Sequence, residues 1–150
     1  MAAEYLANGL QSISLNTPID FVASMPCTRG NVIHENGTGV FILKGNTNQC
    51  FATYKVTYNG NIAITEGGTV TPIAVSIVVN GEPRISSRAI STPAAAEEFN
   101  SVTSTAIIKV PRGCCFTLAI EYVSGITDGT TVPTPVIDQI NGNLDINRIA

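Results

Sequence analysis

Residues 104–122, STAIIKVPRGCCFTLAIEY, are two apolar runs joined by Pro111-Arg112-Gly113. Proline at the second position of a type I turn, followed by a glycine free to adopt left-handed backbone, predicts a three-residue hairpin loop. That loop sets a register in which Val110 faces Cys114, Ile108 faces Phe116 and Ala106 faces Leu118. Side chains alternate across a strand. One face therefore carries Ala106, Ile108, Val110, Cys114, Phe116, Leu118, Ile120 and Tyr122, and is dry. The other carries Thr105, Ile107, Lys109, Cys115, Thr117, Ala119 and Glu121. It is too apolar for free solvent and too polar for a core. The stretch predicts an all-β protein whose mixed face, here Lys109, Cys115, Thr117, Ala119 and Glu121, meets another subunit or a second sheet.

The totals agree with that reading. The chain has 150 residues, 44% of them hydrophobic and only 13% charged. That length supports one domain with a real core, and the charged share is about half the usual one. Disorder would require low hydrophobicity with high charge. The net charge is −3 and there is no basic run, so no footprint for nucleic acid exists. No segment approaches the roughly 18 continuous apolar residues of a membrane helix. Residues 1–15, MAAEYLANGLQSISL, lack the basic start and apolar run of a signal peptide, which predicts synthesis in the cytoplasm. There Cys27, Cys50, Cys114 and Cys115 read as thiols by default, and Asn36-Gly37-Thr38 is an idle glycosylation match.

Turn signals divide the chain. Residues 1–9 have no clear partner and predict either a frayed terminus or an arm that docks on a neighbouring subunit, ahead of one domain over 10–150. Short strands are expected at 10–15 and 19–25, before Pro26. Asn36-Gly37 is a tight-turn signal leading into 40–44. Residues 50–58 alternate cleanly, and Asn59-Gly60 marks a turn or bulge before 62–65. Residues 70–79 form the next strand, with Asn80-Gly81 as a hairpin dipeptide and 83–92 returning from it. Residues 93–99 have the only helix-forming composition, enough for a turn or two. The stretch 124–139 is long and turn-rich, as functional or partner-packed loops are. Asn141-Gly142 precedes a last strand at 144–149. About nine or ten antiparallel strands with short connections imply a sandwich, a jelly roll first and an immunoglobulin-like sandwich second. The second lacks a Cys–Trp–Cys pattern, because the chain has no tryptophan.

The chemistry-bearing residues are sparse. Nucleophilic catalysis needs a nucleophile, a base and an orienting group within reach. The one histidine, His34, stands beside Glu35 at a strand end, where a surface or interface role is the simpler reading. Structural zinc favours Cys-x2–4-Cys pairs, and none occurs. Cys114 and Cys115 are adjacent in a predicted strand, so they face opposite ways: Cys114 into the core, Cys115 onto the mixed face. A disulfide from Cys27 or Cys50 to either one is the sharper alternative. Gly67-Gly68 lacks the helix and lysine of a phosphate loop. Tyr54, Tyr58, Phe116 and Tyr122 fall at strand period and read as core or interface. Glu97-Glu98, Asp138 and Asp145 read as solvated carboxylates, and Asp128 lacks the oxygen-rich loop that calcium needs. No catalytic, cofactor or metal residue is assigned, and the chain reads as a non-enzyme.

The order of motifs also carries a resemblance. Residues 50–83 (CFATYKVTYNGNIAITEGGTVTPIAVSIVVNGEP), 92–124 (TPAAAEEFNSVTSTAIIKVPRGCCFTLAIEYVS) and 141–150 (NGNLDINRIA) are similar to small structural proteins of tailed phages and prophages of gut bacteria. The general shape resembles the tumour-necrosis-factor/C1q-like jelly roll and the C-terminal domain of collagen-like spore-surface glycoproteins. The chain has no collagen stalk. The resemblance implies a homotrimer located in the virion, decorating the capsid or serving as a head-fibre subunit, whose other partner is the major capsid protein or another virion protein. The alternative is a receptor- or glycan-binding module at a fibre tip or a cell or spore surface, using the loop at 124–139 or at 94–99.

Overall fold

The computed structural model describes residues 2–23, 30–125 and 134–150. The inward faces expected of 104–122 are where the core lies. Along β10 (Asn100–Pro111), Val102, Ser104, Ala106, Ile108 and Val110 are buried and the residues between them exposed. Along β11 (Cys115–Ser124), Leu118, Ile120 and Tyr122 are buried and Phe116 packs against the same cluster. The two strands are not a hairpin, however. β10 pairs over its whole length with β6 (Phe51–Ile64), from Asn100↔Ile62 to Pro111↔Phe51. β11 pairs instead with β5 (Phe41–Lys44) and β7 (Ile73–Val79).

The remaining strands are β1 (Ala2–Ala7), β2 (Gln11–Ile13), β3 (Val22–Ala23), β4 (Val32–His34), β8 (Glu82–Pro83), β9 (Ala89–Ser91) and β12 (Ile137–Arg148). The first sheet runs β10-β6-β12-β1-β3, with β2 also on β12. The second runs β4-β5-β11-β7-β8, with β9 also on β7. Every strand pairing is antiparallel, and the architecture is a jelly-roll sandwich. Residues 111–114 therefore form an arch between the sheets. The turn chemistry is as expected: the Cys114 amide donates to the Pro111 carbonyl at 2.9 Å and Gly113 has φ 78°. What the turn pairs with is the facing connection. Gly45 donates to Cys114 O at 2.8 Å, Gly113 donates to Gly45 O at 3.0 Å, and Arg112 donates to Cys50 O at 2.9 Å. A Cβ on Gly45 would lie 2.0 Å from Pro111 O, so only glycine permits this approach of the two arches.

Other expectations change for similar reasons. Ala2–Ala7 form an interior strand of the first sheet, between β12 and β3. Asn59-Gly60 does not turn, because β6 runs unbroken through it against β10. Asn141-Gly142 is a bulge within β12, where the register to β6 shifts between Ile140 and Asn143. Asn80-Gly81 is the hairpin expected, with φ of 52° and 81° and Val79 opposite Glu82, the signature of a type I′ turn. The return strand is split by a 3-10 turn at Ile85–Ser87. There Ser87 Oγ accepts from the Ile77 amide at 3.1 Å and donates to Arg84 O at 2.7 Å, replacing the interrupted ladder. Residues 93–99 hold turns and no helix.

Four tyrosines, Tyr5, Tyr54, Tyr58 and Tyr122, fill the core, and burial pushes all four phenols above their ordinary range. Tyr54 Oη donates to Lys44 O at 2.5 Å, and Tyr122 Oη donates to Pro135 O at 2.8 Å. Tyr58 Oη and both polar atoms of the Gln139 amide are fully buried without a well-formed partner. A lost buried hydrogen bond costs about 1 kcal/mol, and an orphaned buried polar group about 1–3 kcal/mol. We therefore expect Tyr122→Phe to lose about 1 kcal/mol in urea denaturation, and Gln139→Leu to gain about 1 kcal/mol or more, since it removes two orphaned atoms. A loss of stability in Gln139→Leu would mean that the amide is satisfied in solution.

Candidate functional site

The fold divides the single mixed face expected from 104–122 into two. Lys109, Ile107 and Thr105 point outward from the first sheet, and Cys115, Thr117, Ala119 and Glu121 point outward from the second. The alternation was sound, but an arch sends the two runs to opposite sides of the sandwich.

The outer face of the first sheet is a field of amides and hydroxyls. β10 contributes Ser101, Thr103 and Thr105, and β6 contributes Asn59, Asn61 and Thr57 in register with them. Thr103 Oγ1 donates to Asn59 Oδ1 at 2.8 Å, and Ser101 Oγ donates to Asn61 Oδ1 at 2.9 Å. A recess of about 220 Å³ is lined by Asn59, Gly60, Asn61, Ser101, Val102, Thr103 and Asn141. Two large apolar side chains stand free on the same sheet, Ile107 at 52% and Phe51 at 46% exposed. Farther across, Asp145 on β12 is directly opposite Glu4 on β1. Partial burial first, and the charge of Glu4 second, hold the Asp145 carboxyl above its ordinary range. Like charges placed opposite each other across an antiparallel pair are destabilising.

The outer face of the second sheet is apolar. Val78 pairs with Ala119 and Ala74 with Val123. All four are buried, yet they stand outside the main core cluster. Around them Ile33, Val40 and Ile90 are 43%, 49% and 46% exposed. Glu121 sits among these groups, opposite Ser76 and bridged to Pro18, and burial raises its pKa. A recess of about 400 Å³ bordered by Ile33, Val40 and Ile42 lies on this side.

Cys114 is exposed, against the expectation that it fills the core. The chain is still turning there, and the strand alternation begins only at Cys115, which is exposed as well. Cys50 is likewise exposed; its carbonyl is held by Arg112, and it lines a recess with Lys109. The arches thus gather Cys50, Cys114 and Cys115 at one end of the sandwich, and all three are free thiols. Cys27 lies outside the described residues, as does Asp128 and the central part of the 124–139 loop.

His34 is a packing residue. Its ring stacks on Phe41 at 4.1 Å and meets Tyr5 edge-on at 5.0 Å. Nε2 lies 2.8 Å from Thr38 O, so it carries the proton there. Among the described residues no group of three or more His, Cys, Asp or Glu side chains is placed to hold a metal ion, and no helix is long and apolar enough to cross a membrane. The sequence reading missed the Asn–Thr ladder, although its signal was present as Asn59 and Asn61 flanking Gly60 in one strand and Ser101 and Thr103 in another.

No protein-family model matches the chain, and no curated protein matches its sequence. Solved structures do. The globular domain of the zebrafish complement 1qA protein is 13% identical, with a TM-score of 0.63 over 99% of this chain and 96% of that one. The Eiger TNF of S. frugiperda is 14% identical, with a TM-score of 0.67 over 100% of this chain and 92% of that one. Murine APRIL is 10% identical, with a TM-score of 0.56 over 95% and 96%. At these identities the likeness is one of fold: the chain has the jelly-roll sandwich of C1q and TNF-family domains.

The Glu4–Asp145 pair makes a pH-dependent prediction. A carboxyl whose folded pKa lies above its unfolded value favours folding when protonated, and that contribution is lost as pH rises through the folded value. Asp145→Asn should therefore raise the melting temperature at pH 7. The difference from the parent should shrink as pH falls toward the ordinary aspartate value of 3.8. A constant difference across that range would place the cause elsewhere than in the charge.

Proposed function

We propose that this chain is a non-enzymatic structural subunit that associates with itself as a homotrimer through the outer face of the first sheet, and that the trimer is a component of a phage particle. The observation that carries the first part is the whole-length likeness to C1q and TNF-family sandwiches, joined to a first-sheet face on which exposed Ile107 and Phe51 are interleaved with hydroxyls and amides. Interfaces combine apolar anchors with hydrogen-bonding groups, and this face has both, with Lys55 opposite Ile107 and Lys109 opposite Thr53 as its cations. The second part rests on the sequence resemblance of residues 50–83, 92–124 and 141–150 to small phage structural proteins. On that reading the trimer decorates the capsid or builds a head fibre, its partner is the major capsid protein or another virion protein, and it is made in the host cytoplasm.

The second reading, a glycan-binding module, is favoured by one feature. The recess at Asn59, Asn61, Ser101, Thr103 and Asn141 offers the amides and hydroxyls that a sugar's hydroxyl groups require. The two readings compete for one face, because a recess covered by another subunit cannot receive a glycan. Glycan-array binding that is abolished by Asn61→Ala, from a protein that stays monomeric, would decide for the second.

Light scattering on the purified protein should give three copies, and mass spectrometry of particles should find the chain at a fixed ratio to the major capsid protein. Ile107→Glu should dissociate the trimer and leave the circular dichroism of the monomer unchanged, because Ile107 is half exposed in the single chain. Val40→Glu, a matched change on the second sheet, should leave the trimer intact. A stable parent monomer would overturn the assembly, and dissociation by Val40→Glu alone would move it to the other sheet.

A further inference from the structure

We propose that the end of the sandwich carrying Cys50, Cys114 and Cys115 is a thiol–disulfide exchange site at which neighbouring copies of this chain become covalently joined. The inference rests on the self-association proposed above.

Free cysteine is among the most buried of residue types, yet all three cysteines in the described residues are exposed. They are also together. Three backbone hydrogen bonds fasten the 111–114 arch to the facing 45–50 connection: Arg112 N to Cys50 O, Gly45 N to Cys114 O and Gly113 N to Gly45 O. Reactivity of a thiol requires access, and this end supplies it three times.

Its charge is suited to a disulfide reagent. Lys44 stands opposite Cys115 across β5 and β11, Lys109 shares a recess with Cys50, and the Arg112 backbone is bonded to Cys50. Three of the chain's eight Lys and Arg residues are thus at this end, in a protein of net charge −3. A local positive field raises the concentration of an anionic partner, and the common low-molecular-weight disulfide, oxidised glutathione, is an anion.

The chemistry proceeds in two exchanges. A cysteine thiolate of one copy attacks one sulfur of the small disulfide. That S–S bond breaks, a mixed disulfide forms, and one glutathione leaves as a thiolate that takes up a proton. A cysteine thiolate of a second copy then attacks the protein-side sulfur of the mixed disulfide and expels the second glutathione. Two protein thiols are oxidised, and one small disulfide is reduced to two thiols.

Cys114 and Cys115 do not close on each other within one copy. They are neighbours along a chain entering an extended strand, where successive side chains diverge. Cyclic symmetry sets equivalent ends at the same level around the axis. β6 starts at Phe51 and β10 ends at Pro111, so assembly through the first-sheet face they share brings the thiol-bearing ends of the copies together.

The test uses full-length protein purified in reductant. Light scattering in reductant reads self-association alone. The protein is then moved into oxidised glutathione and analysed by non-reducing gel electrophoresis and intact mass. Dimer and trimer bands that reductant abolishes are expected for the parent and for Cys27→Ser. The variant carrying Cys50→Ser, Cys114→Ser and Cys115→Ser should lose those bands while keeping the parent's scattering mass in reductant. Only glutathione adducts, only a loss of two hydrogens within single chains, or cross-links that vanish with Cys27→Ser would each overturn the proposal. A trimer that never cross-links counts against this inference alone. A monomer in reductant counts against the assembly on which it rests.

Discussion

The structure depends on two dry faces covering each other, and on the chain crossing between them at fixed points. Val102, Ala106, Ile108 and Val110 on one sheet and Leu118, Ile120 and Tyr122 on the other belong to one continuous buried cluster. Each buried aliphatic or aromatic side chain of this kind is worth about 1.5–3 kcal/mol, which is enough to dictate which way a strand faces. The burial does not dictate which neighbour it bonds to. That is settled at the arches, where Gly45 admits the Pro111 carbonyl to a distance no side chain would tolerate, and the two connections satisfy each other's amides and carbonyls.

This separates what was legible in the sequence from what was not. The period of two in residues 104–122 identified the inward residues of both strands, because facing depends only on alternation. Partner choice depends on hydrogen bonds between segments far apart in the chain, and a hairpin and an arch bury the same side chains. The same ambiguity accounts for the Asn-Gly dipeptides. At Asn80-Gly81 both residues have positive φ and the chain reverses. At Asn59-Gly60 the identical pair lies within a long strand, where the Tyr58 ring leans over the glycine so closely that a Cβ would sit 2.0 Å from its hydroxyl. Glycine can serve either for its backbone freedom or for its missing side chain, and only the tertiary neighbours decide which. The candidate site suffered more than the fold. The mixed face was expected as one surface, but its two halves lie on different sheets, so Lys109 and Cys115 do not share a sheet face.

The interior polar groups show the same dependence on distant contacts. Tyr54 and Tyr122 read only as large strand residues, yet their hydroxyls tie the core to the backbone at Lys44 and Pro135. Tyr58 and Gln139 gather where the β12 bulge and Gly60 thin the first sheet. A bulge inserts residues whose ladder partners are lost, and the unpartnered amide and phenol sit beside that irregularity.

The outer faces then pose a physical choice. The second sheet offers more apolar surface, but much of it is already covered: Ala74, Val78, Ala119 and Val123 are small or medium side chains shielded by their own sheet, and a partner would gain little by burying them again. It would also have to desolvate Glu121, whose carboxyl already resists ionisation. The first sheet is less apolar but better prepared. Ile107 and Phe51 still have about half their surface to bury, and the Ser101–Asn61 and Thr103–Asn59 pairs have already satisfied one another. A face whose polar groups are mutually bonded loses less on leaving water than one whose groups stand alone. The burden falls on Lys55, Lys109, Glu4 and Asp145, and burial, which raises the Asp145 pKa, lightens the share of that carboxyl. The ions left on the face that carries the exposed anchors are of both signs, Lys55 and Lys109 with Glu4 and Asp145.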